Sequence, residues 1–109
     1  MRRGDLVTVV TSGDYGKPRP ALVVQADNYA AHPSLTVLPL TSEINDLPLI
    51  RVSVEPTKGN GLRLRSQVMV DKATTIPRAK VGSTIGYLDQ ATLATMSKAL
   101  MAFLGLSQL

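Results

Sequence analysis

Two short polar motifs stand at the ends of apolar runs and could do chemistry. Arg19 lies between two prolines, directly before an apolar run over residues 21–24, and Thr41 and Ser42 end a later run. The prolines restrict the backbone and thereby aim the Arg19 side chain. Guanidinium and hydroxyl donors match the oxygens of a phosphodiester, although such hydroxyls also commonly bind the backbone of the following loop. The two motifs therefore make a candidate phosphate site.

Composition excludes most other kinds of active site. The 109 residues include no cysteine, one histidine and eight scattered carboxylates, so thiolate chemistry, histidine triads and metal sites are not expected. The segment Gly59-Asn60-Gly61 lacks the Lys-Ser/Thr of a phosphate-binding loop and predicts a turn. We expect no metal and no cofactor. RNA would suit so sparse a site, because each phosphate has a 2′-hydroxyl beside it that can act as the nucleophile.

The charge balance favours a polyanionic partner. Twelve Lys and Arg against eight Asp and Glu give a net charge of +4 and a pI of about 9.8, which suits nucleic acid or an acidic protein segment. The longest apolar stretch, residues 99–106, is far shorter than the roughly 18 residues that cross a bilayer. Without a signal-peptide pattern at the start, the expected compartment is the cytoplasm, with no membrane contact.

Three further polar residues are expected on one face of a strand over residues 62–71. Alternation puts Arg65, Gln67 and Asp71 on the same side, where a cation, an amide and a carboxylate could line a groove. Asp71 has alternatives: it could cap the turn that follows, or pair with Lys72 or Arg78. In the loop of residues 12–18, the Tyr15 ring could stack on an unpaired base or anchor the loop. We also place Lys17 of this loop among the RNA contacts.

Hydrophobic periodicity predicts a mainly β protein with one terminal helix. Strands are expected over 6–11, 19–26, 34–41, 49–54, 62–71 and 83–86, with Pro39 marking an edge or bulge. A helix is expected over 90–104, capped by Asp89, ended by Gly105 and packed on the sheet. We expect residues 1–109 to form one domain, a small curved antiparallel sheet or barrel with a C-terminal helix.

Several motifs in order resemble one known family. They are Arg3-Gly4-Asp5-Leu6-Val7, Arg19-Pro20-Ala21-Leu22-Val23-Val24, Val37-Leu38-Pro39-Leu40-Thr41-Ser42, a block over residues 61–76 that holds Ser66-Gln67-Val68, and Ile85-Gly86-Tyr87-Leu88. Their order and spacing over residues 3–104 are similar to those of the MazF/PemK toxins. These toxins are ribosome-independent endoribonucleases of bacterial type II toxin–antitoxin pairs.

The resemblance implies a fold, an activity and partners. The fold would be an SH3-like small barrel with a C-terminal helix, forming a homodimer with an RNA groove across its interface. The activity would be metal-independent cleavage of single-stranded RNA at a short sequence, as an mRNA interferase. A cognate antitoxin with an acidic, disordered tail would fill the groove and inhibit the toxin.

The resemblance also assigns roles to particular residues. Arg19 corresponds to the arginine that stabilises the phosphate and assists proton transfer, and Thr41 to the catalytic threonine, with Ser42 beside it. Asp71 falls where one branch of the family has a catalytic aspartate. That branch has an arginine where this chain has Met69 and a histidine in its first loop, so we expect the mechanism to rest mainly on Arg19 and Thr41.

Two alternatives stay open at this point. A gyrase poison of the CcdB type would share the barrel, but such proteins end in Trp-Gly-Ile, and this chain has no tryptophan. The other alternative is a non-catalytic barrel, which would bind RNA or an antitoxin without cleaving RNA. Replacing Arg19 with alanine should abolish growth arrest by a ribonuclease toxin and leave growth arrest by a gyrase poison largely intact.

Overall fold

The computed structural model describes residues 1–10 and 17–107. Three 3₁₀ turns join its elements, at Asp27–Tyr29, Val70–Lys72 and Arg78–Lys80. The strands and the helix are β1 Asp5–Val9, β2 Arg19–Val23, β3 Ser34–Thr41, β4 Arg51–Val54, β5 Ser66–Met69, β6 Thr74–Pro77, β7 Val81–Tyr87 and α1 Gln90–Phe103.

The seven strands form one curved antiparallel sheet. Its order is β4-β5-β3-β2-β1-β7, and β6 pairs with β3 beside this path. Within the part of the chain that the structure describes, no pairing joins β4 to β7, so the sheet is curved but not closed. The prediction of a mainly β fold with a C-terminal helix is confirmed.

Pro39 marks a change of partner within β3. On the edge away from β2, β3 pairs with β6 through residues 34–37 and with β5 through Leu40 and Thr41. Pro39 lies between these two pairings, where a missing backbone N–H costs little. The expected edge position is therefore wrong, because β3 lies in the middle of the sheet.

Alternation along β1, β2 and β3 divides the apolar residues between two faces. Residues of one parity pack with Met96 of α1: Leu6, Leu22, Leu38 and Leu40. Residues of the other parity pack with Ile76 of β6: Val7, Val9, Ala21, Val23, Leu35 and Val37. Helix α1 therefore covers one face of the sheet. By the same alternation, Arg19 and Thr41 belong to the opposite face.

The helix matches its prediction almost to the residue. Asp89 caps it by accepting a hydrogen bond from the Thr92 N–H at 3.0 Å, and Gly105 follows it with a φ of +74°. The Thr92 hydroxyl and N–H both lower the pKa of the Asp89 carboxyl below its ordinary value. Met96 is fully buried against the sheet, whereas Phe103 is half-exposed. No described helix is long and apolar enough to cross a bilayer.

The segment from residue 61 to residue 77 departs from its prediction. The strand expected over 62–71 is limited to β5, and β6 forms over Thr74–Pro77, where no strand was expected. Gly61 has a φ of +68°, and a Cβ there would overlap the carbonyl oxygen of Ile85. The chain is thus held against β7 at this point and does not become extended until Ser66. Strand β7 is correspondingly longer than the expected 83–86.

Candidate active site

The register of β2 and β3 brings the two leading candidate residues together. Ala21 pairs with Pro39 and Val23 with Val37. The β2–β3 pairing ends at Ala21 and Pro39, and Arg19 and Thr41 are the next residues of the same parity on their strands. The two residues, which are distant in sequence, therefore lie on the same face of the sheet at the ends of neighbouring strands.

Both residues line a groove with a volume of about 1130 Å³. Its apolar lining includes Val37, Pro39 and Ile76, which continue the second face of the sheet. Four cationic residues line it: Lys17, Arg19, Arg63 and Lys72. Among the residues described, no carboxylate lines the groove. Like charges facing one concavity focus a positive potential there, which favours a polyanion.

The Thr41 hydroxyl is already held in place by its own loop. Its oxygen accepts a hydrogen bond from the Glu43 N–H at 3.1 Å. A hydroxyl that accepts through one lone pair still has its hydrogen to donate. The loop contact therefore orients Thr41 without using its donor. Ser42, next in the chain, is exposed and also lines the groove.

Arg65 and Gln67 lie outside the lining of this groove, contrary to the shared face that alternation predicts. Arg65 precedes β5, and its Nε makes an exposed ion pair with Glu55 at 2.8 Å. Gln67 is 4% exposed and pairs with the backbone of Asn45. Alternation fails here because the strand begins only at Ser66, and because the amide is satisfied by a neighbouring loop.

Asp71 is the third residue that the predicted strand misplaces. It lies in the 3₁₀ turn after β5 and accepts a hydrogen bond from Nη1 of Arg51. The Arg51 side chain is 8% exposed and the Asp71 side chain 21%. The expected partners, Lys72, Arg78 or the following turn, are not those observed. This largely buried pair ties β4 to the turn, and Asp71 does not line the groove.

The remaining candidates divide between the groove and the undescribed loop. Lys17 lines the groove, whereas Tyr15 lies outside the described residues. Sequence reasoning did not single out Arg63 and Lys72, because only the folded path of residues 61–72 brings them to the groove. In the described ranges, no three histidine or carboxylate side chains cluster as metal ligands.

Comparison with known proteins identifies the family. A family model described as "PemK-like, MazF-like toxin of type II toxin-antitoxin system" matches residues 2–104. This chain belongs to that family. The predicted MazF/PemK membership is therefore confirmed.

Relatives of this MazF-like toxin match over nearly their whole length. The chain is 43% identical over 108 residues to a probable endoribonuclease MazF of Mycolicibacterium smegmatis, covering 98% of this chain and 99% of the relative. It is 26% identical to the Mycobacterium tuberculosis toxin MazF-mt6, with a TM-score of 0.81 and coverages of 94% and 98%. A mycobacterial endoribonuclease solved in complex with its cognate antitoxin has the same fold, at 23% identity, a TM-score of 0.83 and coverages of 100% and 99%.

Proposed function

We propose that this toxin cleaves single-stranded RNA at a short sequence, without a metal ion, as an mRNA interferase. The observation that carries the proposal is that Arg19 and Thr41 line one groove together with the cationic side chains of Lys17, Arg63 and Lys72. The 43% identical MazF relative, called a probable endoribonuclease, supports this reading over a gyrase poison or a binding-only barrel.

The chemistry uses the nucleophile that RNA itself carries. The 2′-oxygen forms a bond to phosphorus, the bond from phosphorus to the 5′-oxygen breaks, and the proton of the 2′-hydroxyl ends on the leaving 5′-oxygen. The products are a 2′,3′-cyclic phosphate and a 5′-hydroxyl. Arg19 stabilises the extra negative charge of the phosphorane, and the Thr41 hydroxyl donates to a phosphate oxygen. Removing one such donor typically lowers the rate by about 10²–10³-fold.

The other groove residues hold the RNA backbone. Lys17, Arg63 and Lys72 supply positive charge along the groove, and Ser42 supplies a hydroxyl beside Thr41. We assign base stacking to Tyr15. No direct RNA contact is proposed for Arg65 or Gln67, and no catalytic contact for Asp71, because each is bonded to protein groups outside the groove lining.

The proposal also includes partners and a compartment. We propose that the toxin is a homodimer in the cytoplasm and that the groove is completed across the dimer interface. Its antitoxin would carry an acidic, disordered tail, because carboxylates and RNA phosphates compete for the same cations. Binding of the tail would thus exclude the substrate.

The test is a cleavage assay with mapped ends. Purified protein is incubated with a long, unstructured RNA in excess EDTA, alongside Arg19→Ala and a control, Arg65→Ala, whose cation lies outside the groove. We expect discrete cuts with 5′-hydroxyl ends from the parent and from Arg65→Ala, and none from Arg19→Ala. Intact RNA across several sequences, together with inhibition of gyrase, would replace this proposal with the gyrase-poison reading.

A further inference from the structure

Gln67 is a buried amide that joins the end of β3 to the following loop. It pairs with Thr41 in the β3–β5 register. Its Oε1 accepts from the Asn45 N–H at 3.0 Å, and its Nε2 donates to the Asn45 carbonyl at 3.0 Å and to Ser53 Oγ at 3.3 Å. The side-chain amide of Gln67 thus makes two hydrogen bonds to the backbone of one residue, as a hydrogen-bonded residue pair does in an antiparallel sheet. The side chain thus extends the sheet pairing to the loop.

This clamp is close in the chain to the Thr41 hydroxyl. Between Thr41 and Asn45 lie only residues 42–44, and the Glu43 N–H donates to Thr41 Oγ1. A segment fixed at both ends and this short has few conformations. The bonds of Gln67 to Asn45 therefore limit where the Glu43 N–H, and with it the Thr41 hydroxyl, can lie.

We propose that Gln67 is a positioning residue for the cleavage step, which it serves by fixing residues 42–45 and hence Thr41. The inference rests on the proposed function, since Thr41 must act on RNA for its position to matter. A displacement of about 1 Å in a reacting group can cost roughly 10²-fold in rate. RNA affinity should change little, because Gln67 does not line the groove.

A double-mutant cycle with Thr41→Val tests the route through Thr41. Single-turnover cleavage is measured at saturating RNA, and affinity is measured with the same RNA carrying a 2′-deoxyribose at the scissile position. We expect Gln67→Ala to cut at least about tenfold more slowly than the parent, with Kd changed by less than about twofold. In the Thr41→Val background, adding Gln67→Ala should change the residual rate by less than about twofold.

Gln25 provides a matched control at the other end of β3. Its amide also holds backbone, donating to the carbonyls of Tyr29 and Ser34 and accepting from the Thr36 N–H, and it does not line the groove. We expect Gln25→Ala to lower stability but not the cleavage rate. Gln67→Glu turns the Nε2 donor into an acceptor facing the Asn45 carbonyl, and should slow cleavage as Gln67→Ala does.

Activity and amide exchange together decide the inference. The positioning role of Gln67 would be overturned if Gln67→Ala and Gln25→Ala cleaved RNA at equal rates. It would also be overturned if Gln67→Ala slowed cleavage as much in the Thr41→Val background as in the parent. Neither result would contradict the proposed nuclease activity. A parent protein that cuts no RNA would overturn the proposed function instead. Hydrogen exchange at Glu43 and Asn45 then decides the positioning: faster exchange in Gln67→Ala than in Gln25→Ala supports it, and equal exchange overturns it.

Discussion

The Arg51–Asp71 pair predicts a large loss of stability and a small loss of activity when Asp71 is removed. Asp71→Ala leaves the Arg51 guanidinium buried, with its side chain 8% exposed and its Nε without a hydrogen-bond partner. Breaking a buried pair from one side costs about 3–5 kcal/mol. Asp71 is 21% exposed, so water can reach the vacated position, and we take the lower end, about 3 kcal/mol.

The free energy of unfolding is measured by urea denaturation, and the melting midpoint by thermal unfolding. At roughly 4 °C per kcal/mol for a domain of this size, the melting midpoint should fall by about 12 °C. The double variant Arg51→Met with Asp71→Leu removes both charges and keeps side-chain volume, so it should recover most of the loss. A loss below about 1 kcal/mol in Asp71→Ala would show that the buried Arg51 guanidinium does not depend on the Asp71 carboxylate.

The same double variant tests whether Asp71 acts in cleavage. Because Asp71 lies outside the groove lining and is paired with Arg51, we expect the double variant to cut RNA within about threefold of the parental rate, as a change away from the site should. If the double variant regains its stability but does not cleave RNA, Asp71 has a catalytic role.

Three other predictions concern the groove and the helix. Thr41→Val should lower the cleavage rate by about 10²-fold or more, and urea denaturation should show a stability change near 1 kcal/mol. Cleavage at the parental rate would exclude Thr41 from catalysis. Arg63→Ala should reduce the slope of log Kd for RNA against the logarithm of the salt concentration by about 0.7, and Arg65→Ala should leave this slope unchanged. The same slope in both variants would place Arg63 outside the RNA interface. The Asp89 pKa is lowered in the folded state, so its carboxylate contributes stability above the ordinary Asp pKa and loses it as pH falls through the folded value. The melting midpoint of Asp89→Asn should therefore approach that of the parent on acidification, and a constant gap would contradict this sign.

Regular periodicity made much of the fold predictable from the sequence. The limits of β3 and the start of α1 agree with the structure, because apolar alternation and an Asp N-cap are local signals. β6 was missed because its residues, Thr74–Pro77, carry a single buried apolar side chain, Ile76. Its extended shape comes from pairing with β3, which no local pattern encodes.

The site was predictable only where a strand positions it. Arg19 and Thr41 were expected at strand ends, and the structure has β2 beginning at Arg19 and β3 ending at Thr41, with both residues on one groove. The positions of Gln67 and Asp71 depend on Asn45 and Arg51, which are remote in sequence. Alternation alone predicted that both side chains line a groove. That prediction fails because a buried polar side chain must reach a hydrogen-bond partner, and alternation does not show where that partner lies.

Whether the 2′-hydroxyl is the nucleophile is tested by cleavage, in excess EDTA, of two short RNAs that differ only at the scissile nucleotide. One carries ribose there and the other 2′-deoxyribose, so the phosphate and the groove contacts are the same. We expect the ribose substrate to yield a 2′,3′-cyclic phosphate and a 5′-hydroxyl, and the deoxyribose substrate to bind but stay intact. Equal cleavage of both would show that the 2′-hydroxyl is not the nucleophile and would contradict the mechanism assigned to Arg19 and Thr41.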